Sequence, residues 1–115
     1  MTIAAFHEKA AALGWACSPT SGTNKYGWVT VGPNLFDFED GKLYSASIED
    51  QTFSTEKGMR VGDTIDTMMR LYGEPDAKST LPDNGGVEYS YSLSAQFGIG
   101  VVIKAGKVAA IVFGG

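Results

Sequence analysis

The sequence predicts an α+β fold: two short helices packed on a mainly antiparallel sheet of about six strands, with a helix–strand–strand–strand unit repeated twice. Three observations predict it. Only two segments carry an apolar stripe at helical spacing, several runs alternate apolar and polar residues with a period of two, and tight-turn pairs such as Asp40-Gly41 and Ala105-Gly106 join those runs.

The first helix is expected over residues 2–13. Good helix formers fill the stretch, Thr2 can cap its first turn, Gly14 can close it, and Ile3, Phe6, Ala10 and Leu13 make its apolar stripe. His7 borders that stripe and reads as a partly exposed helical histidine, since no second metal ligand is spaced to join it. Cys17 reads as a small buried hydrophobe, and the sole histidine, His7, is the one base it could use as a nucleophile. A turn-rich linker, Ser18 to Asn24, follows.

Strand signals then run from Tyr26 to Val31, Leu35 to Glu39 and Lys42 to Glu49, with turns at Gly32-Pro33-Asn34 and Asp40-Gly41. Phe36 and Phe38 alternate with Asp37 and Glu39, so one face of this hairpin is expected to be dry and the other wet. Asp37, Glu39 and Asp40 invite a Ca²⁺ reading. The alternation instead assigns the first two to a solvated face and Asp40 to a turn, and no EF-hand spacing is present.

The second helix is the best-marked element. Asp63 or Thr64 can cap it and Asp66 favours its positive end; Ile65, Met68, Met69 and Tyr72 fall at i, i+3, i+4 and i+7; Gly73 supplies a left-handed closing residue and Pro75 stops it. Asp76 to Gly86 is polar and reads as a long flexible loop. Val87 to Leu93 and Phe97 to Lys104 alternate, Gly98 and Gly100 lie inside a strand and not at a helix start, and Val108 to Phe113 closes the chain.

An ungapped shift of 65 residues sets Tyr26 on Tyr91, Trp28 on Leu93, Phe36 on Val101, Phe38 on Ile103 and Gly41-Lys42 on Gly106-Lys107, and the turn and apolar phases agree. The chain therefore reads as a single domain, 1–115, with pseudo-repeat halves 1–50 and 63–115.

The pattern Gly58-Met59-x-x-Gly62-Asp63, then Tyr72-Gly73-x-Pro75, a Tyr-rich strand and a Gly106-Lys107 hairpin, resembles two groups of small bacterial domains. They are the beta-lactamase-inhibitor protein and the small outer-membrane assembly lipoproteins, and the likeness covers roughly residues 53 to 115. It implies a tandem-repeat α+β fold, a protein partner and an extracytoplasmic, cell-envelope setting. This chain is shorter than the inhibitor protein and has one cysteine where that protein forms two disulfides.

Composition narrows the function classes. With 43% hydrophobic and 19% charged residues, the chain has the balance of a globular domain that needs no metal or disulfide to fold. A net charge of −4 with no Lys or Arg cluster disfavours nucleic acid. No run approaches the ~18 apolar residues of a membrane span, and Glu8 and Lys9 interrupt any secretory signal, so an exported product would have lost its signal from this chain.

One His, one Cys and no phosphate-cradling loop leave no set of groups for catalysis, so no enzyme activity and no cofactor are expected. The expected function is a non-catalytic binding or accessory module of a bacterium, recognising another protein or an envelope component. The alternative is an assembly domain that self-associates through a sheet edge. Trp15, Trp28, Tyr89 and Tyr91, taken singly, read as core residues. The interaction surface is sought in the turns, at Pro33 and Asn34 and at Pro82, Asp83 and Asn84.

Overall fold

The computed structural model describes residues 2–15, 17–23, 25–83, 85–94 and 97–114. The chain divides into two compact units, Met1–Ser47 and Ile48–Gly115. In the first, α1 (Ile3–Leu13) is followed by β1 (Ser21–Gly22), β2 (Tyr26–Val31), β3 (Asn34–Glu39) and all but the last residue of β4 (Lys42–Ile48). The second carries α2 (Ile65–Tyr72), β5 (Ala77–Thr80), β6 (Val87–Ser92), β7 (Gly98–Lys104) and β8 (Lys107–Gly114).

α1 starts and stops where its end residues dictate. Thr2 Oγ1 accepts the Ala5 N–H at 3.1 Å, and Gly14 turns left-handed at φ 73°, ψ 22°. Phe6 and Ala10 are buried, while Leu13, assigned to the stripe, is 55% exposed because it sits in the last helical position before the chain turns away. The Phe6 ring lies 4.6 Å from that of Phe36 and 5.7 Å, edge-on, from that of Phe38. The alternation expected of β3 is therefore borne out: its phenylalanines face α1, and Asp37 and Glu39 face away.

The strands of this unit pair antiparallel in sequence order, β1 with β2, β2 with β3 and β3 with β4. Gly32, at φ 60°, and Pro33 form the β2–β3 turn, and Asp40 (φ 50°) with Gly41 (φ 78°) forms a type I′ turn between β3 and β4. Cys17 and the first residues of the expected linker, Ser18 to Gly22, run back beside β2. Cys17 bridges Val31, the Ser18 N–H donates to Thr30 O, and Ser21 and Gly22 pair with Trp28 and Gly27. That return corrects the reading of Cys17 as a buried hydrophobe, while His7 is the partly exposed helical histidine expected. Cys17 is only half-buried, and its Sγ lies 3.6 Å from His7 Nδ1.

In the second unit, residues 55–59 form a tight turn in which Thr55 Oγ1 accepts the Met59 N–H, placing Met59 fully in the core. Thr64 is the cap of α2, its Oγ1 accepting the Thr67 N–H. Met68 is fully buried, whereas Ile65, Met69 and Tyr72 are half-buried. Gly73 closes the helix at φ 76°, ψ −153°, a region open essentially to glycine alone and distinct from the left-handed helical cap expected there. The Tyr91 hydroxyl donates to Gly73 O at 2.9 Å. Burial, and after it the charge of Glu74, holds that phenol above its ordinary range and so keeps it a donor.

The strand count corrects the expected architecture. The described residues form eight strands in place of about six, and with 45% of them in strand against 18% in helix the fold is mainly sheet. The two additions, β1 and β5, lie where the sequence reads as linker and loop. All six of their residues are exposed, so neither strand needs the apolar alternation by which strands are recognised; backbone pairing alone defines them. β5 pairs with β6, and Asp76 anchors its start by accepting the Ser92 N–H through Oδ2 while its own N–H donates to Ser90 O.

The two units repeat one another in detail. Both helices begin Thr-Ile; the Ile3 N–H donates to Gly41 O and the Ile65 N–H to Gly106 O, each at 3.0 Å, and the cap residues bridge the following lysines, Thr2 to Lys42 and Thr64 to Lys107. Ala105 (φ 52°) and Gly106 (φ 76°) repeat the turn of Asp40 and Gly41. The β7–β8 ladder slips between Val102 and Ile103 as β3–β4 slips between Asp37 and Phe38. The shift of 65 thus holds for the last two strands of each unit. It fails for β2 against β6, since Val29 pairs with Phe36 while Tyr89 pairs with Val101. A longer β6–β7 connection accounts for the offset, so Trp28 corresponds to Glu88 and not to Leu93.

Two outcomes follow for stability. Met68→Ala should cost roughly 2–4 kcal/mol in urea unfolding by emptying a fully buried site, against under about 0.5 kcal/mol for Arg70→Ala on the exposed face. Ala105 holds a left-handed backbone that alanine disfavours, so Ala105→Asn should raise stability by about 0.5–1 kcal/mol; an unchanged or lower urea midpoint would show that the turn carries no such strain.

Candidate functional site

The turns sought as an interaction surface divide between the units. In the first, Pro33 is exposed, but Asn34 is fully buried: its Nδ2 donates to Val31 O at 3.0 Å and holds the β2–β3 turn from inside. Asn34 is therefore a structural residue and leaves the candidate surface. In the second unit, Pro82 and Asp83 are exposed at the tip of the β5–β6 hairpin, where the Gly85 N–H donates to Pro82 O and the Leu81 N–H to Gly86 O. The flexible loop expected from Asp76 to Gly86 is thus a strand and a closed turn. Asn84 lies outside the described residues.

The feature missed in the sequence is the outer face of the first unit's sheet. β2 turns Val29 and Val31 inward, so by alternation Tyr26 and Trp28 project to the other side. They remain 53% and 44% exposed, large values for aromatic strand residues. Trp28 is thereby corrected from core residue to surface residue; Tyr89 and Tyr91 are buried as expected and Trp15 is half-buried. The cross-strand registers place Asp37 opposite Trp28 and Glu39 opposite Tyr26. Ser45, opposite Asp37 on β4, donates its hydroxyl to Asp37 Oδ2 at 3.0 Å and fixes that carboxylate.

Each ring is held in place from the side. An added Cβ at Gly22 would stand 2.8 Å from Trp28 Cζ3, so the indole lies against β1 at a position only glycine leaves open. The Lys25 ammonium sits 5.6 Å from the centroid of the Tyr26 ring. The result is two aromatic surfaces flanked by two carboxylates, with the rings partly pre-positioned. Such a face can bury apolar area and pair with a cation at the same time.

The equivalent face of the second unit has different chemistry. Glu88 replaces Trp28, and Gly100 replaces Leu35, since Gly100 pairs with Ser90 as Leu35 pairs with Thr30. Glu88 lies across Gly100, and with Ser90, Ser92, Gly98 and Val112 it lines an open trough of ≈ 300 Å³. Among the described residues no group of three or more His, Cys, Asp or Glu side chains is placed to hold a metal ion, and no helix is long and apolar enough to cross a membrane.

No protein-family model, curated protein or solved structure matches the chain.

The seating of Trp28 can be tested directly. Gly22 has φ 89°, and a methyl group there would collide with Tyr26 O and with the indole. Gly22→Ala should lower stability by about 1–2 kcal/mol in urea unfolding, whereas a variant as stable as the parent would mean that the ring does not rest on β1.

Proposed function

We propose that the protein is a non-catalytic binding module that recognises another protein through the outer sheet face around Tyr26 and Trp28. The observation that carries the reading is the exposure of both rings on one strand, paired across the ladder with Glu39 and Asp37. Tyrosine and tryptophan contribute large, stiff contact area at little entropic cost and dominate the energetics of protein interfaces. The two carboxylates favour a partner that presents Lys or Arg between apolar side chains, and the net charge of −4 favours the same sign of partner. The sequence resemblance adds a bacterial envelope setting to this reading.

One observation favours a second reading, self-association through a sheet edge. β5 pairs only with β6 among the described residues, and all four of its side chains are exposed, leaving a flank free for a further strand. Its short length and Lys78 weaken it as a template, as edge strands commonly do.

Immobilised protein should retain a specific partner from a bacterial lysate, and the Tyr26→Ser/Trp28→Ser variant should lose at least about tenfold in affinity for it, as expected when two anchors are removed, while melting as a folded protein. Equal retention by the two proteins would rule the aromatic face out. A sedimentation coefficient that rises with concentration in both would favour the edge.

A further inference from the structure

The cluster formed by Cys17, His7 and Thr20 lies within the first unit, and none of its three residues belongs to the proposed binding face. Its three members come from two pieces of chain. His7 stands on α1. Cys17 and Thr20 stand on the return segment, which is held to β2 by the Cys17–Val31 bridge, the Ser18 N–H to Thr30 O bond and the Thr30 N–H to Ser18 Oγ bond, both 2.9 Å. Cys17 Sγ is 3.6 Å from His7 Nδ1, and His7 Nε2 is 2.8 Å from Thr20 Oγ1. The Phe6 ring meets the imidazole edge-on at 6.2 Å. Both Cys17 and His7 are half-buried and therefore still reached by solvent.

A nucleophile, a base within reach of it and a third group that orients the base are the parts of an activated thiol. Thr20 Oγ1 holds Nε2 at 2.8 Å and so aims Nδ1 at the sulfur; as a hydroxyl it can accept from Nε2–H or donate to Nε2. When a neutral imidazole donates its Nε2–H to Thr20 Oγ1, the bare Nδ1 faces the thiol; when the ring is an imidazolium, Nε2–H still donates to Thr20 and Nδ1–H faces the thiolate. The proton can therefore move between sulfur and nitrogen without the ring turning.

We propose that Cys17 is a reactive thiol for low-molecular-weight disulfides, with His7 as its base and Thr20 as the positioning residue. The Cys17 S–H gives its proton to His7 Nδ1, and the thiolate attacks one sulfur of the disulfide. The new S–S bond forms as the old one breaks, and the departing thiolate takes the proton from His7 Nδ1–H. One disulfide and one thiol enter; one mixed disulfide and one thiol leave, with no other oxidant. Burial pushes the Cys17 thiol up from its ordinary range, which makes free thiolate scarce near neutral pH, so reaction depends on a base placed beside the sulfur. The chain has a single cysteine, so no internal thiol resolves the mixed disulfide. The adduct persists until an external thiol removes it, which makes this a reversible modification site and not a turnover centre.

The rate of reaction with 5,5′-dithiobis(2-nitrobenzoate) at pH 7, together with intact mass after oxidised glutathione, tests the proposal on the full chain. The parent should react at least about tenfold faster than His7→Gln, in line with the usual worth of a positioned base, and gain one glutathione. Thr20→Val should be slow and Thr20→Ser restored, and added imidazole should accelerate His7→Ala but not the parent. Unfolding of a variant exposes Cys17 and speeds its reaction, so a slow, serine-rescued variant cannot arise from misfolding. Equal rates in the parent, His7→Gln and Thr20→Val, or a parent that takes up no glutathione, would overturn the assignment.

Discussion

In each unit the start of the helix is tied to the turn of a hairpin, and the rest of the unit depends on that tie. A helix N-terminus leaves N–H groups without intrahelical partners. Here the first of them, from Ile3 or Ile65, donates to the carbonyl of the turn glycine, Gly41 or Gly106, while the capping threonine bridges the lysine beyond it. The arrangement needs a type I′ turn, hence a positive φ at both central residues, and that in turn favours Gly at the second. Once the helix is pinned at that end, its apolar stripe has one direction to face: Phe6 meets Phe36 and Phe38, and Met68 is enclosed completely.

The same constraint shared by two units explains what could vary. The inward positions are held to large apolar residues in both, Phe36 and Phe38 in one and Val101 and Ile103 in the other. The outward positions answer to no such demand, and there the units differ: Trp28 and Asp37 against Glu88 and Val102. An exposed tryptophan on a strand adds little to a fold and much to an interface. The units thus keep one inward chemistry and carry two different outward ones.

Cys17, His7 and Thr20 illustrate the converse. Their meeting depends on a segment with no strand signal, Ser18 to Gly22, lying back along β2 through backbone bonds. Those bonds hold it beside β2, and from there its side chains reach α1.

Read alone, the sequence determined the elements whose signals are local. The helix boundaries follow from Thr2, Gly14, Thr64 and Gly73, the I′ turn from Asp40-Gly41, and the inward face of β3 from the alternation of Phe36 and Phe38 with Asp37 and Glu39. Caps, turns and periodicity act over a few residues, and their side chains record them. Tertiary structure decided what depends on pairing between distant segments. It set the wholly exposed strands β1 and β5, whose hydrogen bonds come from the backbone and leave no trace in side-chain pattern. It set the phase of β2, which carries Trp28 outward because Val29 and Val31 pair with Phe36 and Asn34. It buried Asn34 in a turn and closed Cys17 on His7 across ten positions of sequence. Each of these rests on register, and register is a property of two strands at once, fixed when they meet and absent from either strand alone.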